Sequence, residues 1–411
     1  MAAMPAAASA RIFDIVIAGA GPAGLAFAAA VKQALGSGVA IAVVDPRPGV
    51  RDGRLRTVAL AEGPRRLIDQ VGAWAPLAPL AQPIRRMAIY DGRVRDAVRI
   101  EQLQFGEEGD EPLAHMAFND DLAAALGDAA AAQGVETISA AVTGFAPGRD
   151  TAEIALAGGA RLKARLVVAA DGGRSRLRAL AELSTVGWDT GQTGIVAAIA
   201  HERDHEGVAQ QHFLPAGPFA ILPMRGRLSS IVWNERHADA RAIAALAPDD
   251  FIRELEYRFT PKLGALALAS RVEAIPLAFR FARRFVAERL ALLADAAHVV
   301  HPLAGQGLNL GLRDVAALAE AVVDRMRLGL DPGDATTLEA YQRARRFDVV
   351  ASSIGMDALN RLFAKDAEPL RAARDFGLRV VGRLAPLKRL LAAEAAGDGV
   401  RAPRLLRGLA L

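Results

Sequence analysis

No cysteine occurs among the 411 residues of the chain. Its absence excludes thiol nucleophiles, Cys-ligated iron–sulfur or zinc sites and disulfides, and it permits a reducing compartment. An unbroken apolar run long enough to cross a bilayer is missing as well. Residues Ile15 to Val31 carry no charge, but Gly21-Pro22 breaks the run, and a strand–turn–helix order accounts for every residue in it. The Ala-rich stretch Met1 to Arg11 has no basic segment followed by an apolar core, so no secretory signal is expected. There is no internal repeat, and no low-complexity segment beyond that Ala-rich start. A compact basic patch is also lacking. The pI near 9.7 comes from the end of the chain, where Arg361 to Leu411 hold eleven Arg or Lys against five acids. That segment carries +6 of a total of +4, so the rest of the chain is slightly acidic. Nucleic acid is therefore not an expected partner.

What is present suits a globular protein of two or three domains with a large core: 52% of residues are hydrophobic and 23% charged. Two motifs carry chemistry. The first is Phe13-Asp-Ile-Val-Ile-Ala-Gly19-Ala-Gly21-Pro-Ala-Gly24-Leu, an apolar strand, a Gly-x-Gly-x-x-Gly turn and an Ala-rich helix in that order. A second apolar strand, Val39 to Val44, ends in Asp45, 21 residues after Gly24. This is the setting of a dinucleotide fingerprint. Gly19 makes the tight turn, Gly21 lets the backbone approach a pyrophosphate, Gly24 allows the helix to pack on the strand, and Asp45 meets a ribose hydroxyl. The second motif runs from Ala294 to Asp314. Asp295 follows the apolar strand Leu290 to Ala294, and then come Pro302, Gly305, Gln306, Gly307 and Asn309. Its glycines let amides approach a ligand, and the helix expected after them turns a positive N-terminus toward an anion or polarised carbonyl.

Between the motifs, residues 83–105 read as strands and Asn119 to Gln133 as a helix. A helix ending near Trp74 is expected after the Arg-rich loop that contains Arg56. Strand-like runs at 135–142, 152–157 and 166–170 lead to Asp171-Gly172-Gly-Arg-Ser-Arg-Leu-Arg178. The block 188–236, rich in short strands and Gly/Pro turns, reads as an antiparallel sheet inserted in an α/β domain, and the pattern from 334 onward is helical.

With Gly19–Gly24, Asp171–Arg178 and Asp295–Asp314 together, the chain resembles the FAD-dependent aromatic hydroxylases of p-hydroxybenzoate hydroxylase architecture. Within them it is similar to the ubiquinone-biosynthesis hydroxylases of the UbiH/UbiF type. That likeness rests on His301-Pro-Leu-Ala-Gly-Gln-Gly-Leu-Asn-Leu-Gly311, Gly217-Pro-Phe-Ala-Ile-Leu-Pro223, Asn360-Arg-Leu-Phe-Ala-Lys-Asp366 and Arg374-Asp-Phe-Gly-Leu378. The resemblance implies an α/β fold, with a Rossmann-like FAD-binding domain formed from 1–75, 108–182 and 271–333. It implies an inserted antiparallel-sheet substrate domain, 76–107 and 183–270, and a helical C-terminal region, 334–411.

It also implies FAD as cofactor, with NAD(P)H or another donor as reductant and O₂ as co-substrate. Hydroxylation would proceed on a polyprenylated phenol through a C4a-hydroperoxyflavin. Gly19, Gly21 and Gly24 would hold the pyrophosphate, Asp45 the ribose, and Arg56 would lie near the flavin. Asp171 and Gly172 match the family's Asp-Gly motif, associated with FAD and the nicotinamide cofactor. Asp295 would meet the ribityl or pyrophosphate side and Pro302 would lie beside the isoalloxazine ring. Gly305, Gln306, Gly307 and Asn309 would present amides to its pyrimidine end. Ala294 stands where the family usually has Gly, and its methyl would crowd the FAD. No catalytic acid or base is assigned, and His298 and His301 are expected to be structural.

Other readings remain open. His201-Glu-Arg-Asp-His205 has the spacing of a zinc hydrolase motif, but it follows a β-like run and precedes Gly207, so a solvated turn is expected there. A small soluble phenol as substrate, or a non-enzymatic FAD-bound scaffold, would suit the same motifs. A prenyl tail favours the bilayer by about 0.8 kcal/mol per methylene, so the enzyme is expected to reach the membrane. Leu370, Ala373, Phe376, Val380, Leu384, Leu387 and Leu391 recur at helical spacing among six Arg or Lys residues, a pattern that suits an anionic surface. The location expected is cytoplasmic, peripheral on the inner face of the membrane, with other quinone-biosynthesis enzymes as partners.

Overall fold

The computed structural model describes residues 11–50, 56–91, 101–106, 111–258, 263–300, 306–364, 397 and 402–411. Its first layer is a sheet whose central five strands are all parallel: Leu290–Leu292, Arg161–Ala169, Arg11–Ala18, Ile41–Asp45 and Glu136–Ser139, in that spatial order. Parallel strands are covered on both faces, which is why Ile15, Val16, Ile17, Ala42, Val43, Val167 and Val168 read as continuous apolar runs and are fully buried. Helix Pro22–Leu35 packs between helices Asn119–Ala132 and Gln306–Arg327. Every residue from Ala23 to Val31 in it is buried, and the small Ala and Gly side chains allow that close approach.

The second layer is a nine-stranded sheet dominated by antiparallel pairs. Its long strand Thr185–His201 pairs with Leu228–Arg236 on one side and Glu273–Ala282 on the other. The pattern is not wholly antiparallel: Val208–Leu214 runs parallel to Arg86–Asp91. One face buries Ile195, Ile199, Ile221, Ile231 and Trp233 under two helices, His237–Ala244 and Pro248–Arg258. These helices were not expected from the sequence. Trp233 is fully buried there, edge-on to Phe219 at 5.8 Å and beneath the Arg258 guanidinium at 5.0 Å. Thr57–Ala61, Ala114–Phe118 and Gln82–Ile84 form a small third sheet.

Other expectations shift locally. The helix expected to end near Trp74 is two helices, Glu62–Gln70 and Trp74–Leu77, separated at Gly72 with φ of +81°. The run 135–142 splits into Glu136–Ser139 and the start of Val142–Ala146. Beyond 334 the chain forms helix Ala335–Ala364, which packs on Gln306–Arg327. The amphipathic residues Leu370 to Leu391 lie outside the described residues. The chain closes with a 3-10 turn, Arg404–Arg407, whose Leu405 and Leu406 are buried against Glu62–Gln70. Among the described residues, no helix is long and apolar enough to cross a membrane.

Helix Ala335–Ala364 is tied to the first sheet by Tyr341, whose fully buried hydroxyl donates to the Leu292 carbonyl at 2.8 Å. Tyr341→Phe removes that donor and strands a buried carbonyl, so urea unfolding is expected to show a loss of about 1–2 kcal/mol without a change in slope.

Candidate FAD site

The register of the parallel sheet brings the motifs together. Leu292, Ala169, Ala18 and Val44 lie in one row across four adjacent strands. Asp295, Asp171, Gly19 and Asp45 each follow one to three residues later. All four therefore leave the sheet at its carboxyl edge, where open α/β sheets bind ligands. A cleft of about 990 Å³ opens there, at the upper end of the usual range for cofactor pockets. Gly19, Gly21, Asp45, Arg56, Asp171 and Gly172 line it, together with Arg47, Arg174 and Arg176.

The three fingerprint glycines differ in what they serve. Gly19 has φ of +110°, and a Cβ on it would sit 2.2 Å from the Ala170 carbonyl oxygen. A Cβ on Gly24 would sit 2.2 Å from the Gly19 oxygen. Both are required by the protein's own backbone packing. Gly21 is different: a Cβ there meets nothing within 4 Å, and its φ of −78° suits any residue. What its missing side chain leaves open is the cleft. The helix that begins after Gly21 has no side-chain cap and no acid in its first turn, so its free amides and positive end suit an anion.

The acids are held firmly. Asp45 Oδ2 accepts from the Ala20 amide at 2.9 Å and Oδ1 from the Arg47 amide at 2.8 Å. Each oxygen retains capacity for a further donor such as a ribose hydroxyl. Asp171 Oδ2 accepts from the amides of Arg176 and Leu177 at 2.7 and 3.1 Å, while its buried Oδ1 has no protein partner. That orphaned acceptor beside the cleft fits a ligand hydroxyl or amide. Gly172 has φ of +83° with open space before it. Arg56 is exposed and lies 3.9 Å from Glu273 of the second sheet.

Asp295, Gly307 and Asn309 do not line this cleft. Arg178 joins the two halves, donating to the Gly173 carbonyl at 2.7 Å and the Ala296 carbonyl at 2.8 Å. Asp295 is accessible but closely surrounded by protein. Burial pushes its carboxyl up, with His298 opposing and Asp314 reinforcing the shift. The side chain of Asn309 donates to the Ala59 carbonyl at 2.7 Å and accepts from the Ala61 amide at 3.0 Å, fixing helix Gln306–Arg327 to strand Thr57–Ala61. Pro302 and Gly305, like His301, lie outside the described residues, and Gln306 and Gly307 open the helix.

The Ala294 methyl has a neighbour within the protein itself. Ala294 has φ of +53°, which explains why Gly suits the position, yet its methyl is buried against Gly311, where an added Cβ would approach it to 2.6 Å. Gly311 thus makes room for the substitution. The histidines of the zinc-like motif differ from expectation. His201 ends strand Thr185–His201 and His205 lies in the turn after it, and both rings are buried rather than solvated. His201 contacts the Arg203 carbonyl and the Ser229 hydroxyl, and His205 the Met224 carbonyl. No cluster able to hold a metal occurs among the described residues.

Sequence reasoning missed the buried polar group that holds this half together. Asp314 is fully buried. Its Oδ2 meets His298 Nε2 at 2.5 Å and the Ala294 amide at 3.2 Å, and its Oδ1 accepts from Arg345 Nε at 2.7 Å. Burial pushes its carboxyl up, but His298 and Arg345 outweigh that and hold it below the ordinary carboxylate value.

A family model described as "FAD binding domain" matches residues 13–352. The chain belongs to this FAD-binding family. It is an FAD-dependent enzyme. Ubiquinone hydroxylase UbiL of Rhodospirillum rubrum is 40% identical over 412 residues, covering 98% of this chain and 94% of that protein. The 3-demethoxyubiquinol 3-hydroxylase of Escherichia coli is 32% identical over 384 residues, covering 92% of this chain and 96% of that one. Among solved structures, p-nitrophenol 4-monooxygenase PnpA from Pseudomonas putida has the same fold, with a TM-score of 0.77 at 20% identity over 95% of this chain and all of that one.

Four variants test the site. Gly21→Val is expected to leave the cofactor-free protein folded, with thermal stability little changed, yet to weaken FAD binding at least tenfold, about 1.4 kcal/mol, by fluorescence titration. Gly24→Val should instead fail to fold. Asp314→Asn is expected to lower the unfolding free energy at pH 7 by about 3–5 kcal/mol, because His298 and Arg345 lose their counter-charge. The sign with pH follows from the depressed carboxyl. Its stabilisation is full above the unfolded value and lost as pH falls through the folded one, so the variant's deficit should shrink on acidification. Asp295, whose carboxyl is raised, should show the opposite trend in urea unfolding of Asp295→Asn.

Proposed function

We propose that this chain is an FAD-dependent monooxygenase that hydroxylates the aromatic ring of a polyprenylated phenol in ubiquinone biosynthesis, with NAD(P)H or another donor as reductant. The observation that carries the reading is the near-complete coverage, at 40% identity, by a ubiquinone hydroxylase of a chain whose motifs share one sheet edge. Bound FAD supplies the chemistry that activates O₂ and delivers one oxygen atom to the ring. The chain's own residues bind, orient and exclude water.

In this reading the amides after Gly21 hold the pyrophosphate, Gly19 and Gly24 shape the turn and helix contact, and Asp45 takes the adenosine ribose. Asp171 offers its unpartnered Oδ1 and Gly172 an open backbone to the flavin or its reductant. Asp295 reaches the ribityl side. Pro302 and Gly305 to Asn309 frame the ring, with Asn309 acting through its fixed backbone. Arg56, bridging toward Glu273, lies where the cleft meets the second sheet and suits the ring end. The division at 1–75, 108–182 and 271–333 for FAD, 76–107 and 183–270 for substrate, and 334–411 beyond follows from the same reading. A prenylated substrate stays in the bilayer, so the enzyme works peripherally at the inner face of the cytoplasmic membrane, beside other enzymes of quinone synthesis.

Deleting the gene in its host and analysing the lipid extract tests the reading. The expected result is loss of ubiquinone with accumulation of a prenylated precursor lacking one ring oxygen, reversed by the intact gene. Unchanged ubiquinone content would refute it.

A further inference from the structure

Asn119 carries a side-chain acceptor that the protein leaves unused. The residue opens helix Asn119–Ala132 and lines the cleft. Its backbone is fixed from two directions: the amide donates to the Arg56 carbonyl at 2.9 Å, and Phe118 before it pairs with Thr57 in the third sheet. Asparagine beside a helix start commonly accepts from the free amides of the first turn, yet this helix has no side-chain cap. Instead Oδ1 of Asn119 is buried with no hydrogen-bond partner. An acceptor is costly to bury unpaired, so its position calls for a donor. Asp171, in the loop after strand Arg161–Ala169, lines the same cleft with a second buried and unpartnered acceptor.

We propose that Asn119 positions FAD by accepting a hydrogen bond, through Oδ1, from a hydroxyl of the ribityl chain; the proposal rests on the cofactor orientation given above and not on the identity of the phenol. The chemistry of the orphaned atom narrows the choice. An acceptor needs a donor, and the ionised pyrophosphate only accepts. Two acceptors on separate elements instead complement a polyol, whose neighbouring hydroxyls can each donate. Position then separates the ribityl hydroxyls from those of the adenosine ribose. Asp45, which takes that ribose, bonds the amides of Ala20 and Arg47 at the sheet edge. Asn119 adjoins Arg56, where the cleft meets the second sheet. Asp295, Gly307 and Asn309 do not line the cleft, so the ring lies beyond it and the chain that links ring to pyrophosphate passes Asn119.

The test titrates the full-length, cofactor-free chain with FAD and with analogues deoxygenated singly at the 2′, 3′ or 4′ ribityl carbon, read by flavin fluorescence. In wild type, loss of the hydroxyl that meets Asn119 is expected to weaken binding about fivefold. Asn119→Leu, of similar volume and without polar atoms, is expected to bind FAD itself about fivefold more weakly. In that variant the penalty for the same analogue should vanish while those of the other two persist. Asn119→Asp retains the acceptor and is expected to retain the penalty. Because no protein group bonds Oδ1, the melting temperature of both cofactor-free variants should match that of wild type. Equal FAD affinity of wild type and Asn119→Leu, an unchanged set of penalties in that variant, loss of the penalty in Asn119→Asp, or a lowered cofactor-free melting temperature would each overturn the proposal. An analogue lacking the adenosine 2′-hydroxyl reports separately on the orientation. Its penalty is expected to be the same in wild type and Asn119→Leu, and a penalty that disappears with Asn119 would refute that orientation and the proposal with it. None of these titrations involves turnover, so their failure is distinct from failure of the hydroxylase reading.

Discussion

The arrangement of the segment from Ala294 to Asp314 depends on one buried carboxylate. Asp314 sits on helix Gln306–Arg327 and compensates His298 and Arg345 while also accepting from the Ala294 amide. Those partners come from the 3-10 turn that begins at Ala294, from the short strand His298–Val299 and from helix Ala335–Ala364, so a single side chain sets their spacing to its own helix. A buried charge of this kind is costly unless every partner is present. The geometry is therefore close to all-or-none. Arg345 extends the network to Asp348 at 2.5 Å, and Tyr341 adds its bond to Leu292 beside it.

From that fixed point the site is assembled by register. Parallel pairing places Leu292, Ala169, Ala18 and Val44 in one row, and short connections after each strand deliver an acid or glycine to the same edge. Arg178 then couples the loop after Ala169 to the loop after Leu292. On the other side Asn309 locks the helix start to the third sheet, and Thr57 of that sheet donates to Ser230 of the second at 3.0 Å. Cofactor cleft and second sheet are thereby held in one frame. This is the preorganisation that a flavin enzyme needs, since its protein positions the ring rather than performing the chemistry.

Much of this was legible in the sequence because the signals are local. The strand, turn and helix around Gly19 to Gly24 are adjacent in the chain, and Asp45 follows at a spacing fixed by one βαβ unit. The Asp314 network was not legible, since His298, Asp314 and Arg345 are each ordinary in their own segments and acquire meaning only when folded together. Nor was the side-chain role of Asn309, whose bonds to Ala59 and Ala61 join positions some 250 residues apart in the chain. His201 and His205 looked solvated because nothing in the sequence reveals that local carbonyls and Ser229 satisfy both buried rings, one at the end of strand Thr185–His201 and one in the turn after it. The helices His237–Ala244 and Pro248–Arg258 escaped notice because each offers only two buried apolar positions flanked by Ala and charge, too short a period to stand out. The contact between Ala294 and Gly311 was equally illegible, because it joins positions 17 residues apart that meet only in the fold.

The central claim is that the fold directs oxygen from O₂ onto an aromatic ring. The most direct measurement is mass spectrometry of the product formed by the FAD-loaded enzyme, a reductant and a quinol precursor under ¹⁸O₂. The account predicts one ¹⁸O atom in the ring of each product molecule, with none acquired from labelled water. A product whose new oxygen comes from water, or reductant consumed with no ring oxygen gained, would contradict it.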